Sequence, residues 1–149
     1  MSADPVDCAF CDAVNGNGKT ETVAQSEDWV AFFPLGPATL GHTLVVPRLH
    51  VSDYWSAPST IVSALSRACL DVGRAIQRAV SSEGMNLITS QGAVAEQTVF
   101  HLHIHLLPRW SDDEFGSIWP AESMVDSGRQ AWAADRIRAE CAGEPPGMG

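Results

Sequence analysis

Three observations predict an α+β domain for this chain. Five short runs of β-branched and aromatic residues are each bounded by Gly, Pro, Asn or Asp. One long segment carries apolar residues at helical spacing. A chain of 149 residues with 45% hydrophobic content is also large enough to bury a core beneath both kinds of element.

The first three strands are predicted at about 22–25, 28–34 and 42–47. A helix follows from about Ser59 to Ser82, because Ile61, Leu65, Val72, Ile76 and Val80 mark one face and Arg67, Asp71, Arg74 and Arg78 the other. Ser56 or Ser59 offers an N-cap, and Gly84 follows the end. Two more strands are predicted at about 86–90 and 101–107. The tail from about Ala121 to Cys141 has helix formers with Trp132 and Ile137 among them, and residues 143–149 read as a frayed end. No internal repeat and no linker divides the chain, so residues 1–149 are predicted as a single domain. Trp29, Trp55 and Trp132 are expected to pack in the core or at its rim, and Cys69 and Cys141 to be free buried thiols.

Charge narrows the partners. Nine basic and eighteen acidic residues give a net charge of −9 and a pI near 4.8, which disfavours nucleic acid or an anionic membrane. Any anionic substrate must be captured locally. With an acidic N-terminus, no basic-then-apolar leader and no long apolar stretch, the sequence reads as cytoplasmic.

Chemistry concentrates in residues 97–109. His101, His103 and His105 alternate with Leu102, Ile104 and Leu106, and a strand sends alternate side chains to opposite faces. The leucine face is predicted as core and the histidine face as a site. First and third histidines on a straight strand lie roughly 13 Å apart, so one metal ion does not take all three. At least one imidazole is left for nucleophilic, acid–base or phosphate-binding work.

A second constellation is Cys8-Ala9-Phe10-Cys11, whose gap lets two thiolates share one tetrahedral zinc. A redox pair, a disulfide or two small buried residues are the competing readings. His50 and His101 could complete a Cys2His2 set from separate segments.

Together these motifs resemble the histidine triad (HIT) superfamily, in the zinc-containing bacterial-type branch. The match comprises Gln97 and Val99 before the three histidines, Leu106, Leu107, Pro108 and Arg109 after them, Gly41-His42-Thr43-Leu44-Val45-Val46-Pro47-Arg48-Leu49-His50 upstream, and the Cys8/Cys11 pair. It covers roughly residues 8–110, leaving about 111–149 as a C-terminal extension. Where the family usually has Lys, Asp, an Asn before x-Gly, and Gly, this chain has Arg48, Pro34, Ser90 and Glu96.

The resemblance implies a five-stranded antiparallel sheet with one long helix and a C-terminal helix, forming a homodimer. It implies hydrolysis or transfer at the α-phosphate of a small-molecule nucleotide such as a nucleoside phosphoramidate or dinucleoside polyphosphate, through a covalent nucleotidyl-histidine. His103 would be the nucleophile, with His105 and His42 as donors to phosphoryl oxygens. Gln97 and Thr98 would hold the bridging or leaving atom, Ser90 and Val99 would complete the substrate contacts, and Cys8, Cys11, His50 and His101 would bind a structural zinc. Trp110 or Trp119 would stack on a base or cover the pocket, and Pro34 would weaken ribose recognition. Two rivals are a metal-dependent hydrolase using the histidine strand as an open metal site, and a nucleotide-binding module with little turnover.

Overall fold

In the computed structural model the described residues are 7–143, and they divide into two compact units that meet in sequence at Phe115 and Gly116. The expected frayed end falls almost wholly on residues 144–149, outside the described residues. In the first unit a short helix α1 (Ala9–Val14) precedes strands β1 (Thr22–Gln25), β2 (Trp29–Phe32) and β3 (Thr43–Pro47). Helix α2 (Ser59–Val80), strand β4 (Gly84–Ile88), a short 3-10 turn (Ala93–Ala95) and strand β5 (Ile104–Arg109) follow. The strands form one sheet in the order β1-β2-β3-β5-β4, antiparallel throughout, as the sequence implied.

Alternation along β2, β3 and β5 splits the apolar residues between two faces. Ala31, Val45, Leu102, Ile104 and Leu106 pack with Leu65, Ala68, Cys69, Val72 and Ile76 of α2. Val30, Phe32, Leu44 and Val46 pack with Ala13 and Val14 of α1 and with Phe10. The predicted leucine face is therefore core, and α2 turns Arg67, Asp71, Arg74 and Arg78 to solvent as its pattern required.

Several boundaries differ from expectation. Strand β5 starts at Ile104, not His101, because the preceding backbone bonds elsewhere: Leu102 N–H donates to the carbonyl of Val51, and the carbonyls of His101 and His103 accept from side chains. Strand β4 starts two residues early, taking in Gly84, so the helix is closed instead by Ser81 in the left-handed region at φ 53°. At its start Pro58 holds the N-cap position with no side-chain cap, because the Ser56 hydroxyl donates to Asp53.

In the second unit the only helix among the described residues is α3 (Ser127–Gly143), which begins later than predicted. None of residues 116–143 is buried, so Cys141 is exposed and Trp132 is 61% exposed, against the expectation of buried thiol and packed ring. Trp55 is likewise 67% exposed in the first unit, whereas Trp29 packs against the core and Cys69 is buried.

Candidate functional site

Phe10 of α1 lies against His101 and His103, while His105 is half-buried. His101 is fully buried and His103 nearly so. The Phe10 ring stands edge-on to His103 at 5.0 Å between centroids and to Phe32 at 5.6 Å. Phe10 sits between the two cysteines, so whatever anchors Cys8 and Cys11 also sets the ring against His103.

Hydrogen bonds fix which nitrogen of each ring carries its proton. A carbonyl only accepts, so His103 Nδ1–H donates to the His101 carbonyl (2.7 Å) and Nε2 keeps a lone pair. In the same way His101 Nε2–H donates to the Pro47 carbonyl (2.8 Å), leaving its Nδ1 lone pair toward the cysteines. The backbone N–H of Ala38 donates to His42 Nδ1 (3.0 Å), so the His42 proton resides on Nε2. That nitrogen lies 2.9 Å from His105 Nδ1 and donates to it, which places the His105 proton on Nε2. The outcome is one imidazole with a bare Nε2 (His103) beside one with an Nε2–H donor (His105), their rings 5.0 Å apart.

Burial holds these rings neutral. It lowers the pKa of His103 and of His42, and it takes His105 down to about 4, with the neighbouring His103 and His42 adding to the effect. Gly41 delivers His42 to its place: it adopts φ +78°, and a Cβ there would stand 3.4 Å from Val80 and 3.6 Å from Ile76 and Pro108.

A loop from Thr89 to Gln97 closes beside the histidines. Thr89 Oγ1 donates to the His103 carbonyl (2.8 Å). Gln97 is buried, its Oε1 accepting from Gly92 N–H (2.8 Å) and its Nε2 donating to the carbonyls of Ser52 (2.7 Å) and Val99 (3.1 Å). Both amide hydrogens are therefore committed to backbone in this conformation. Gln91 Nε2 donates to Asp53 Oδ1 (3.0 Å), tying the same loop to residues 52–56. Burial raises the Asp53 pKa, but hydrogen bonds from Ser52, the backbone of Ser56 and Trp55, and the Ser56 hydroxyl outweigh it and hold the carboxyl low. Ser90 is half-buried on this loop, and just after it Thr98 is exposed and Val99 half-buried. Sequence reasoning missed Phe10, Thr89, Asp53 and the Ala38 amide. The last acts through backbone alone and leaves no side-chain signal.

The sulfurs of Cys8 and Cys11 and one nitrogen each of His50 and His101 lie within 4.8 Å of one another. His50 Nδ1 is 3.2 Å from Cys11 Sγ, and His101 Nδ1 is 3.5 Å from both sulfurs. Tetrahedral zinc, with Zn–S near 2.3 Å and Zn–N near 2.0–2.1 Å, would separate sulfur from nitrogen by roughly 3.5 Å. The donor set fits that ion, and all four positions come from protein. Burial pushes the Cys11 thiol up to about 11, with Cys8 and Asp12 adding to the rise, so a divalent cation would be what makes that sulfur a thiolate. His103 and His105 lie outside this group, the only one of its kind among the described residues.

Arg48, standing where the family usually has Lys, uses its fork. It donates to the carbonyls of Val14 and Ser26 and to Gln25 Oε1, tying α1 to the β1–β2 turn.

Sheet, long helix and paired imidazoles together define a histidine-rich α+β domain of one particular kind. The chain belongs to the histidine triad family, with a HIT domain match over residues 15–112. Its fold is similar to that of SMU.412c from Streptococcus mutans UA159, at TM-score 0.84 and 35% identity, covering 95% of this chain and 89% of that one. It is similar to a zinc-bound histidine triad family protein from Mycobacterium smegmatis, at TM-score 0.71 and 29% identity, covering 91% and 99%. Among sequence relatives, the adenylylsulfatase HINT3 of Arabidopsis thaliana is 30% identical over 118 residues, covering 79% of this chain and 58% of that protein. Among the described residues no helix is long and apolar enough to cross a membrane.

Proposed function

We propose that this protein is a hydrolase or transferase acting at the α-phosphate of a small-molecule nucleotide through a covalent nucleotidyl-histidine. The observation that carries this reading is the pairing of His103 Nδ1–H with the His101 carbonyl, which turns the Nε2 lone pair into the free nucleophilic atom. That nitrogen attacks phosphorus in line. A phosphorus–nitrogen bond forms as the bond to the leaving atom breaks, and the leaving group departs with that electron pair and a proton from solvent. Water then attacks the phosphoramidate, restoring the lone pair to Nε2 and releasing the nucleotide.

His105 donates its Nε2–H to a phosphoryl oxygen as charge grows there. His42 holds His105 in the tautomer that can donate, with the Ala38 amide fixing His42 in turn. Ser90, Thr98 and Val99 line the substrate side. Gln97 either shapes the loop from within or exchanges one backbone bond for the leaving atom. The relative named an adenylylsulfatase supports hydrolysis at an adenylyl group. Cys8, Cys11, His50 and His101 would hold zinc, as the zinc-bound relative supports, and with no open position the ion would supply folding energy and leave the chemistry to the histidines.

His103→Ala tests the proposal. Turnover of a nucleoside 5′-phosphoramidate should fall by at least about 1,000-fold with the circular dichroism spectrum and melting curve retained. Full activity in the purified variant would refute the covalent route.

A further inference from the structure

We infer that Asp53 is a positioning residue for the candidate site: through Gln91 it pins the Thr89–Gln97 loop and so sets how tightly substrate is held, leaving the chemistry at His103 in place. This rests on the hydrolase reading above, in which Ser90, Thr98 and Val99 line the substrate side.

The loop is tied to the histidines where it leaves the sheet. Ile88, the last residue of β4, pairs with His105 of β5, and the next residue, Thr89, donates its hydroxyl to the carbonyl of His103. From there the ladder stops. The backbone N–H groups of Ala95 and Gln97 donate to the carbonyl of Gly92, and that of Glu96 to the carbonyl of Ala93, so these bonds shape the loop without placing it. Placement comes from three consecutive residues that follow His50. The Val51 carbonyl accepts from Leu102 N–H (2.7 Å), the Ser52 carbonyl from Gln97 Nε2 (2.7 Å), and Asp53 Oδ1 from Gln91 Nε2 (3.0 Å). Only the last of these is made by a side chain at both ends, so it can be removed without disturbing backbone.

Asp53 is 8% exposed, and its partners are neutral donors. The Ser52 hydroxyl donates to Oδ2, and the backbone N–H groups of Trp55 and Ser56 donate to Oδ1, closing the turn at 53–56. A neutral Asn closes such a turn as readily, whereas burying a charge costs free energy. What the charge adds is a stronger acceptor for the further donor, the exposed Gln91. The nucleophile has anchors of its own. His103 Nδ1–H donates to the His101 carbonyl, and the Ala38 amide and His42 fix His105, none of them through Gln91. Loosening the grip on Gln91 therefore lowers affinity and spares the chemistry.

The test compares the full chain with Gln91→Ala, Asp53→Asn and the double variant, using an adenosine 5′-phosphoramidate as substrate. KM should rise about 5-fold in Gln91→Ala and about 3-fold in Asp53→Asn, which keeps the turn. In both, kcat should stay within about 2-fold of wild type and the melting temperature within about 1 °C, a split that general loss of structure would not give. The double variant should match Gln91→Ala at about 5-fold, not the product of about 15-fold, because the Asp53 charge acts through Gln91. Hydrogen exchange at the amides of Gly92, Ala95, Glu96 and Gln97 should quicken in both single variants. Unchanged KM, unchanged exchange, multiplied effects in the double variant, or a fall in kcat alone would overturn the inference and leave the hydrolase reading standing. Absence of turnover in the wild type would remove both.

Discussion

The Nδ1 of His103 lies 2.7 Å from the carbonyl oxygen of His101, two residues back along the same chain. His101 thereby serves two centres: its carbonyl fixes the tautomer of His103, and its ring is a member of the Cys8–Cys11–His50 group. Coupling between the two follows. Disturbing the cysteine–histidine group should shift the His101 backbone and loosen the Phe10 contact, harming His103 without touching it.

About one zinc per chain is therefore expected by elemental analysis of protein purified without chelator. Strong chelation, or Cys11→Ala, should lower the melting temperature by several degrees, and activity should fall in step with folding. Protein that holds no zinc, or a melting curve unchanged by strong chelation, would refute a structural metal.

Acid should destabilise the protein through His42 and His105. Both have pKa values lowered below the ordinary 6.5, chiefly by burial, with His105 at about 4. Between pH 6.5 and about 4 the unfolded chain binds protons that the folded chain refuses, so stability is fully present above pH 6.5 and falls as pH drops through this window. Protonation of His105 would also set its Nδ1–H against the His42 Nε2–H, with the Ala38 amide blocking a reversal of the chain. The check is the melting temperature from pH 4 to pH 8 in wild type and in His105→Asn, whose slope should be shallower.

Ribose recognition should be weak. Pro34 stands where the family usually places an acid for the sugar hydroxyls, and a hydrogen bond to a charged group is worth about 1.5–3 kcal/mol, or about 10- to 100-fold. Matched adenosine and 2′-deoxyadenosine phosphoramidates should differ little in kcat/KM for wild type. Pro34→Asp should create a ribose preference, and strong discrimination by the wild type would show that another residue fills the role.

Much of this was legible in the sequence, because side-chain periodicity carries it. The alternation around Ile104, the helical face from Ile61 to Val80 and the gap between Cys8 and Cys11 each correspond to an observed surface. What was illegible depends on backbone. The start of β5 moved to Ile104 because Val51, Thr89 and His103 supply bonds to residues 101–103 from outside the ladder. Those partners lie far away in sequence or arise from ring tautomers, so no local pattern announces them. The exposure of Trp132 and Cys141 was misread for a different reason: composition makes a helix there, but a weak apolar stripe buries nothing.

A homodimer is proposed from the edge of the sheet. Strand β4 is an outer strand with Leu87 58% exposed, and between it and α2 lies a hollow of about 420 Å³ lined by Leu70, Met85 and Leu106. A twofold partner would cover the unpaired strand edge and this apolar surface. Sedimentation at micromolar concentration should give a dimer, and Leu87→Arg should give monomers; a wild-type monomer would refute the arrangement.

The most direct measurement is rapid-quench mass spectrometry of the enzyme mixed with an adenosine 5′-phosphoramidate. A base-stable, acid-labile adenylyl adduct is expected on the peptide containing His103, appearing and decaying within one turnover, and absent in His103→Ala. Turnover with no adduct at any time, or an adduct on another residue, would contradict the assignment of His103 Nε2 as nucleophile.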